Sequence, residues 1–215
     1  MHRAREHTAT QTRERRHRLA HEAARLMVEG GIQDFHQAKR KAAIRLGIHD
    51  DASLPRNAEI EQALREHQRL FAGSAQSNAL RQRREAAVHA LEFLQAFAPR
   101  LAGPVLEGTA DAHSPVQLHL HDDDPDAVQR FLDEHGIPAE VRSRRLRWDR
   151  ERVLDAPVWV FSADGVVFEL LVLPCHALRQ APLSAVDEKP MRRASLARLR
   201  ELLQDTAPAP GDTQG

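Results

Sequence analysis

Tyrosine is absent from this chain, and aromatic residues of any kind make up only 4% of it. With arginine in excess of lysine and alanine abundant, that bias describes the coding genome before it describes a function. A single cysteine, Cys175, excludes a disulfide framework within one chain. Lying after Leu173 and Pro174, it is expected as a small buried thiol at a strand end. No apolar run approaches the roughly 18–20 residues that span a bilayer. The N-terminus is rich in arginine and lacks an apolar h-region, so it does not read as a secretory signal. A soluble cytoplasmic protein with no membrane partner is the expectation.

What is present is charge, balanced overall and uneven along the chain. Lysine and arginine total 31, as do aspartate and glutamate. Residues 1–50 hold eleven basic residues against six acidic ones, whereas residues 107–135 hold eight acids against Arg130 alone. The 215 residues suffice for one ordinary domain and an appendage.

Hydrophobic spacing predicts the elements. Residues 1–12 are expected to be disordered. Residues 13–29 read as a helix with Leu19, Ala23, Leu26 and Met27 on one face, stopped by Gly30-Gly31. Asp34 caps a second helix that buries Phe35, Ala38, Ala42 and Leu46 and ends at Gly47. A turn at 54–57 leads to a third helix carrying Ile60, Leu64 and Phe71. A helical N-terminal unit over 13–72 follows, with residues 73–78 as linker. A second domain over 79–204 begins with a helix, 80–97, bearing Ala87, Leu91, Leu94 and Phe97. Strands are expected at 104–107 and 116–121, then a helix at 126–135 opened by Asp122-Asp123-Asp124. Further strands cover 138–148, 158–161 and 166–173, the last two joined by the hairpin signal Asp164-Gly165. A final helix over 191–204 precedes a tail expected to be disordered from Asp205. The fold class is α+β: helices first, then a mixed sheet with flanking helices.

The run Gly108-Thr109-Ala110-Asp111-Ala112-His113-Ser114-Pro115-Val116-Gln117-Leu118 resembles the active-site motif of the DNA-polymerase-β-like nucleotidyltransferase superfamily. That motif is Gly-Ser or Gly-Thr, a loop, then Ser-Asp-x-Asp-Leu. The resemblance implies a nucleotidyltransferase-like fold, with Gly108, Thr109, Ser114 and Gln117 in nucleotide-binding positions and Glu169 as the third, catalytic acid. It also implies Mg²⁺ and a nucleoside triphosphate, should the site be active. Yet Pro115 and Gln117 stand where the two metal-binding carboxylates belong. A register with Gly103-Pro104 as the turn is disfavoured, because it leaves the strand expected at Val105-Leu106 in the loop. Some proteobacterial proteins with a helical segment like Ala38-Lys39-Arg40-Lys41-Ala42-Ala43 look similar, and are sometimes described as nucleotidyltransferases or as a muramate–alanine ligase. The ligase needs a Gly-rich loop ending in Gly-Lys-Thr/Ser, and none is present.

The resemblance implies first a non-catalytic, nucleotide-binding or regulatory protein. An active enzyme would need Glu169 joined by Asp111 or by Asp122–Asp124 in a rearranged site. A third reading, from another class, is nucleic-acid binding by Lys39, Arg40, Lys41 and Arg45 on the second helix. Arg142, Arg144, Arg145 and Arg147 form another basic stretch, expected to pair with the acidic region 107–135. Gln117, His119 and His121 share a strand face. Two histidines there can chelate a transition metal, but with no further ligand in view, no metal site is assigned and a solvent-facing strand side is expected.

Overall fold

The computed structural model describes residues 2–32, 34–48, 53–71, 74–124, 126–149 and 151–205. The chain divides into two compact units, residues 1–75 with 184–189, and residues 76–183 with 190–215. The tail after Asp205, Gly73 and the side chain of Phe71, all named above, lie outside the described residues.

The first unit holds α1 (His2–Gly30), α2 (Phe35–Leu46) and α3 (Asn57–Phe71). Its core is Leu19, Ala20, Ala23 and Ala24 of α1 against Ala38 and Ala42 of α2 and Ile60 and Ala63 of α3. Alanines at the contact let the helix backbones approach closely, and burial of the few large residues stabilises the unit at roughly 25 cal/mol per Å² of apolar surface. Asp34 caps α2 by accepting a 2.6 Å hydrogen bond from the Gln37 amide. Gly47 ends it at φ 63°, with the Ile48 amide donating to the Ala43 carbonyl at 3.0 Å. The start of α1 departs from expectation: the helix reaches back to His2, through the residues expected to be disordered. No glycine or proline interrupts 2–29, so nothing stops the helix once it has formed.

The second unit is a five-stranded sheet in the order β1-β2-β5-β4-β3, with β2 and β5 parallel and the other pairs antiparallel. The strands are β1 (Arg100–Ala102), β2 (Val116–His121), β3 (Glu140–Arg147), β4 (Val153–Ala163) and β5 (Val166–Leu173). Between them lie α5 (Gly103–Glu107) and α6 (Asp126–Glu134), with α4 (Ser74–Phe93) before and α7 (Leu196–Asp205) after. The fold is α+β, with seven helices and five strands among the described residues. One sheet face, carrying Leu118, Leu120, Phe168, Leu170 and Trp159, packs on Leu91 and Leu94 of α4, Val128 and Leu132 of α6 and Leu199 of α7. Asp164 and Gly165, at φ 50° and 75°, form the hairpin turn between β4 and β5.

Four local expectations are corrected. Residues 104–107 are helix, not strand: Gly103, at φ 68°, opens α5 directly after β1, Pro104 sits in its first turn and Gly108 caps it at φ 80°. Ser74–Asn78 are the first turns of α4 and not linker, since Ala75, Gln76 and Ala79 are good helix formers. The last helix starts at Leu196, because Ser195 occupies the capping position and its hydroxyl accepts from the Arg198 amide at 3.4 Å. Ala194 instead bridges to Leu101 through two 2.9 Å backbone bonds. Cys175 is exposed and not buried, its amide donating to Asp123 Oδ1 at 2.9 Å.

Candidate functional site

Strand alternation sets a polar group on the sheet face opposite the main helical core. Gln117 and Glu169 are direct cross-strand partners in the parallel β2–β5 pair, and both alternate away from Leu118 and Leu170. The Gln117 amide donates to Glu169 Oε2 at 3.1 Å. Arg144 reaches from β3 across β4 and donates to the same oxygen at 2.5 Å. The Glu169 side chain is 12% exposed and that of Arg144 is 37% exposed, so the ion pair is half-buried.

Gly103 closes this group from the β1 side. Ala102 is the register partner of Gln117, and the Gln117 side chain lies on the Gly103 backbone. A Cβ at Gly103 would stand 2.2 Å from Gln117 Oε1 and 3.0 Å from its Cδ. The turn facing the β2 polar residues is thus Gly103-Pro104, the register disfavoured on sequence. The argument against it, a strand at Val105-Leu106, fails because those residues are helical.

Gly108, Thr109 and Ser114 have other employment. Gly108 sits at the carbonyl end of α5, and the Thr109 amide donates to the Pro104 carbonyl at 2.9 Å. The Ser114 hydroxyl donates to Asp111 Oδ1 at 2.8 Å and accepts from the Asp111 amide at 3.0 Å, closing their loop. Arg83, buried on α4, holds that loop through Ser114 O at 2.7 Å and through Ala112 O. Burial pushes the Arg83 guanidinium below its ordinary range, and the charge of Asp111 opposes the shift. Sequence reasoning missed Arg83 and its buried neighbour Arg84. They continue the stripe of Ala87, Leu91 and Leu94 one turn earlier, and that spacing was the available signal.

Further along β2, His119 and His121 are 3% exposed, so the expected solvent-facing strand side is in fact buried. Arg193 donates to His121 Nε2 at 3.2 Å, and an arginine cannot accept. His121 Nε2 therefore carries the lone pair, and Nδ1–H donates to the Ala98 carbonyl at 2.9 Å. Burial, then Arg193, lowers His121 to about 4 against the bonds to backbone carbonyls. Burial, with Arg193, His121 and Arg144 adding to it, lowers His119 to about 3. Both rings are neutral.

The other acids do not gather here. Asp122 directly follows β2, five residues past Gln117 and about 16 Å away at roughly 3.3 Å per residue. Asp124 pairs with Arg130 at 2.6 Å, and Asp111 is held within its own loop. Among the described residues no group of three or more His, Cys, Asp and Glu is arranged to hold a metal ion. A hard cation such as Mg²⁺ takes oxygen ligands, with one or two free carboxylates among them. One carboxylate already bonded to a guanidinium, beside a neutral amide, does not fit it.

On α2, Arg40 and Lys41 are exposed, beside an Ile44 that is 71% exposed. Lys39 is half-buried, and burial lowers its ammonium against the opposing charge of Glu59. Arg45 pairs with Glu22 at 3.4 Å. Arg142 and Arg144 pair with Glu140 and Glu169, not with acids of 107–135 as expected. Strand alternation puts Glu140, Arg142 and Arg144 on one face, so the nearer carboxylates win.

No helix among the described residues is long and apolar enough to cross a membrane. No protein-family model matches the chain, and no curated protein or solved structure is significantly similar to it.

Proposed function

We propose that residues 76–205 form a nucleotidyltransferase-like unit that has no metal-dependent catalysis and works in the cytoplasm as a nucleotide-binding or regulatory module. The observation carrying this reading is the Gln117–Glu169–Arg144 group backed by Gly103. The superfamily sets a small-residue turn against a strand bearing metal carboxylates, with a third acid on a neighbouring strand. Here the small turn is Gly103, Pro115 and Gln117 stand where the two metal carboxylates belong, and the third acid is Glu169. Arg144 supplies the positive charge. The rearranged enzyme finds no support, because Asp111 and Asp122–Asp124 are spent elsewhere.

Calorimetry with ATP, with and without Mg²⁺ or Mn²⁺, tests the reading. ATP affinity is expected to be unchanged by a chelator, and Mg²⁺ alone is expected to give no saturable heat. A tight Mg²⁺ response that vanishes in Glu169→Ala would overturn the non-catalytic assignment. Absence of any ATP binding at millimolar concentration would remove the nucleotide as ligand.

A further inference from the structure

The sheet of the second unit ends on β3, which has β4 on one side and an open edge on the other. β3 contains no proline or glycine, and its register runs without a bulge from Glu140 opposite Val160 to Arg147 opposite Val153. Backbone direction alternates along a strand. The Trp148 amide donates to the Arg152 carbonyl at 2.9 Å, towards the chain entering β4. The Arg147 carbonyl accepts the Leu183 amide at 2.7 Å from the other side. The odd-numbered residues of β3 therefore turn their N–H and C=O groups outward. Leu183 bridges this edge at Arg147. Val141, Ser143 and Arg145 are exposed, and no backbone group among the described residues bonds them from the open side.

We propose that this edge binds an extended acidic segment of another protein, which adds to the sheet as a further strand beside β3. The open groups alternate donor and acceptor, a pattern that another polypeptide strand satisfies. A phosphodiester backbone offers phosphate acceptors and leaves the outward carbonyls unmatched. Charge then selects among polypeptides, because β3 carries four arginines against Glu140 alone. A second copy of this chain pairing antiparallel about Ser143 would set Arg142 against Arg144. Like charges directly opposite destabilise a strand pair. Sheet edges are commonly blunted by proline, bulges or a covering element. From Val141 to Arg145 the edge has only its charges, which repel a like strand and admit an opposite one.

Side-chain alternation sets the partner's pattern. Its acids lie on the face of Arg142 and Arg144. Arg142 is bonded to Glu140 at 2.9 Å, but both side chains are more than half exposed. An ion pair so exposed is weak, and Arg142 can turn to an incoming carboxylate. On the other face Arg145 stands directly across from Asp155 of β4, so a further acid gains less there. That face instead offers Val141, which is 54% exposed, and an apolar β-branched residue of the added strand covers it. The partner is thus a strand with acids on one face and apolar residues on the other. The proposal does not rest on nucleotide binding, and its test uses Arg142 and Ser143, which stand outside the Gln117–Glu169–Arg144 group.

The test is fluorescence anisotropy of the full-length protein with a labelled, end-capped peptide of about eight residues, in which glutamate alternates with valine and threonine. Saturable binding that weakens with added salt is expected. The same peptide with lysine for glutamate, and one N-methylated throughout, should not bind. Ser143→Pro removes an outward N–H and spares the bonds to β4. It and Arg142→Glu should each weaken binding by at least about tenfold. Circular dichroism checks that both variants fold; if Ser143→Pro does not, the N-methylated peptide decides the same point. No saturable binding at millimolar peptide in low salt would overturn the proposal. So would equal affinity for the N-methylated peptide, or an unchanged affinity in a folded Ser143→Pro, since either leaves charge attraction without strand pairing. A dimer of the free protein in sedimentation, dissolved by Ser143→Pro, would assign the edge to a second copy and overturn it as well.

Discussion

Acid should unfold the sheet-bearing unit through two histidines that face no solvent. His121 titrates near 6.5 when unfolded and near 4 when folded, and His119 falls from 6.5 to about 3. Between those values the unfolded chain binds protons that the folded chain refuses. Stability therefore rises with pH through this window, and is lost as pH drops from 6.5 toward 4 and below. At pH 4.5 either ring on its own removes about 2.5 kcal/mol relative to neutral pH. The rings share Arg193, so the sum of about 5 kcal/mol is a ceiling. That is a large share of the roughly 5–15 kcal/mol of a whole domain. Both tryptophans of the chain, Trp148 and Trp159, lie in this unit and are buried. Urea unfolding followed by tryptophan fluorescence thus reports on it alone. The comparison is wild type against a His119→Leu, His121→Asn variant, in which Asn retains a donor for the Ala98 carbonyl. The variant should start less stable at pH 7.5 and lose less between pH 7.5 and 4.5, by several kcal/mol. Parallel losses in the two proteins would refute the assignment of these rings as buried and neutral.

Two further outcomes follow from particular contacts. Gly103→Ala adds a Cβ 2.2 Å from Gln117 Oε1 at φ 68°; the left-handed backbone alone costs about 1–2 kcal/mol, and Gln117 is pushed off Glu169. A urea midpoint unchanged from wild type would show that Gln117 is not held there. On α2, if Arg40 and Lys41 meet phosphates, nucleic-acid affinity falls steeply with salt, and Lys39/Arg40/Lys41→Ala flattens the slope by about one unit per lost contact. Absence of binding to duplex DNA and RNA at low salt would exclude that role and leave a solvated helix face.

The elements that were legible in the sequence are those whose pattern matches their burial. Asp34 and Gly47 bracket α2 because a cap side chain and a left-handed glycine act locally. The element order and the Asp164-Gly165 hairpin put Gln117 and Glu169 on neighbouring strands, and they are partners in the β2–β5 pair. What misled was composition read without position. Val105 and Leu106 look like strand residues, yet Pro104 before them and Gly108 after them mark a single helical turn. His119 and His121 look like surface residues, yet burial keeps both rings neutral, and the Arg193 that adds to it and bonds His121 lies over 70 residues away in sequence. No local window contains both. The same holds for Arg144 and Glu169, which meet only because β4 folds back between their strands.

On the proposed reading, the half-buried polar group on the second sheet face has a consistent charge balance. The metal site of the resembled superfamily uses a pair of carboxylates and a third acid. Pro115 and Gln117, both uncharged, take the place of two of those acids, and Glu169 is left as the one carboxylate beside Arg144. A monovalent guanidinium matches a single carboxylate, and Arg144 is that group. The substitutions are therefore coupled. Gln117→Glu alone would add an unpaired acid close to the Glu169 oxygen that Gln117 now hydrogen-bonds at 3.1 Å, without displacing Arg144. Like charges at that distance resist joint ionisation, so one added carboxylate would be held partly protonated and would not assemble a metal site. Conversion of this face to catalysis would require the removal of Arg144 as well as the return of two acids. On the proposed reading, that requirement favours recognition over catalysis at this face.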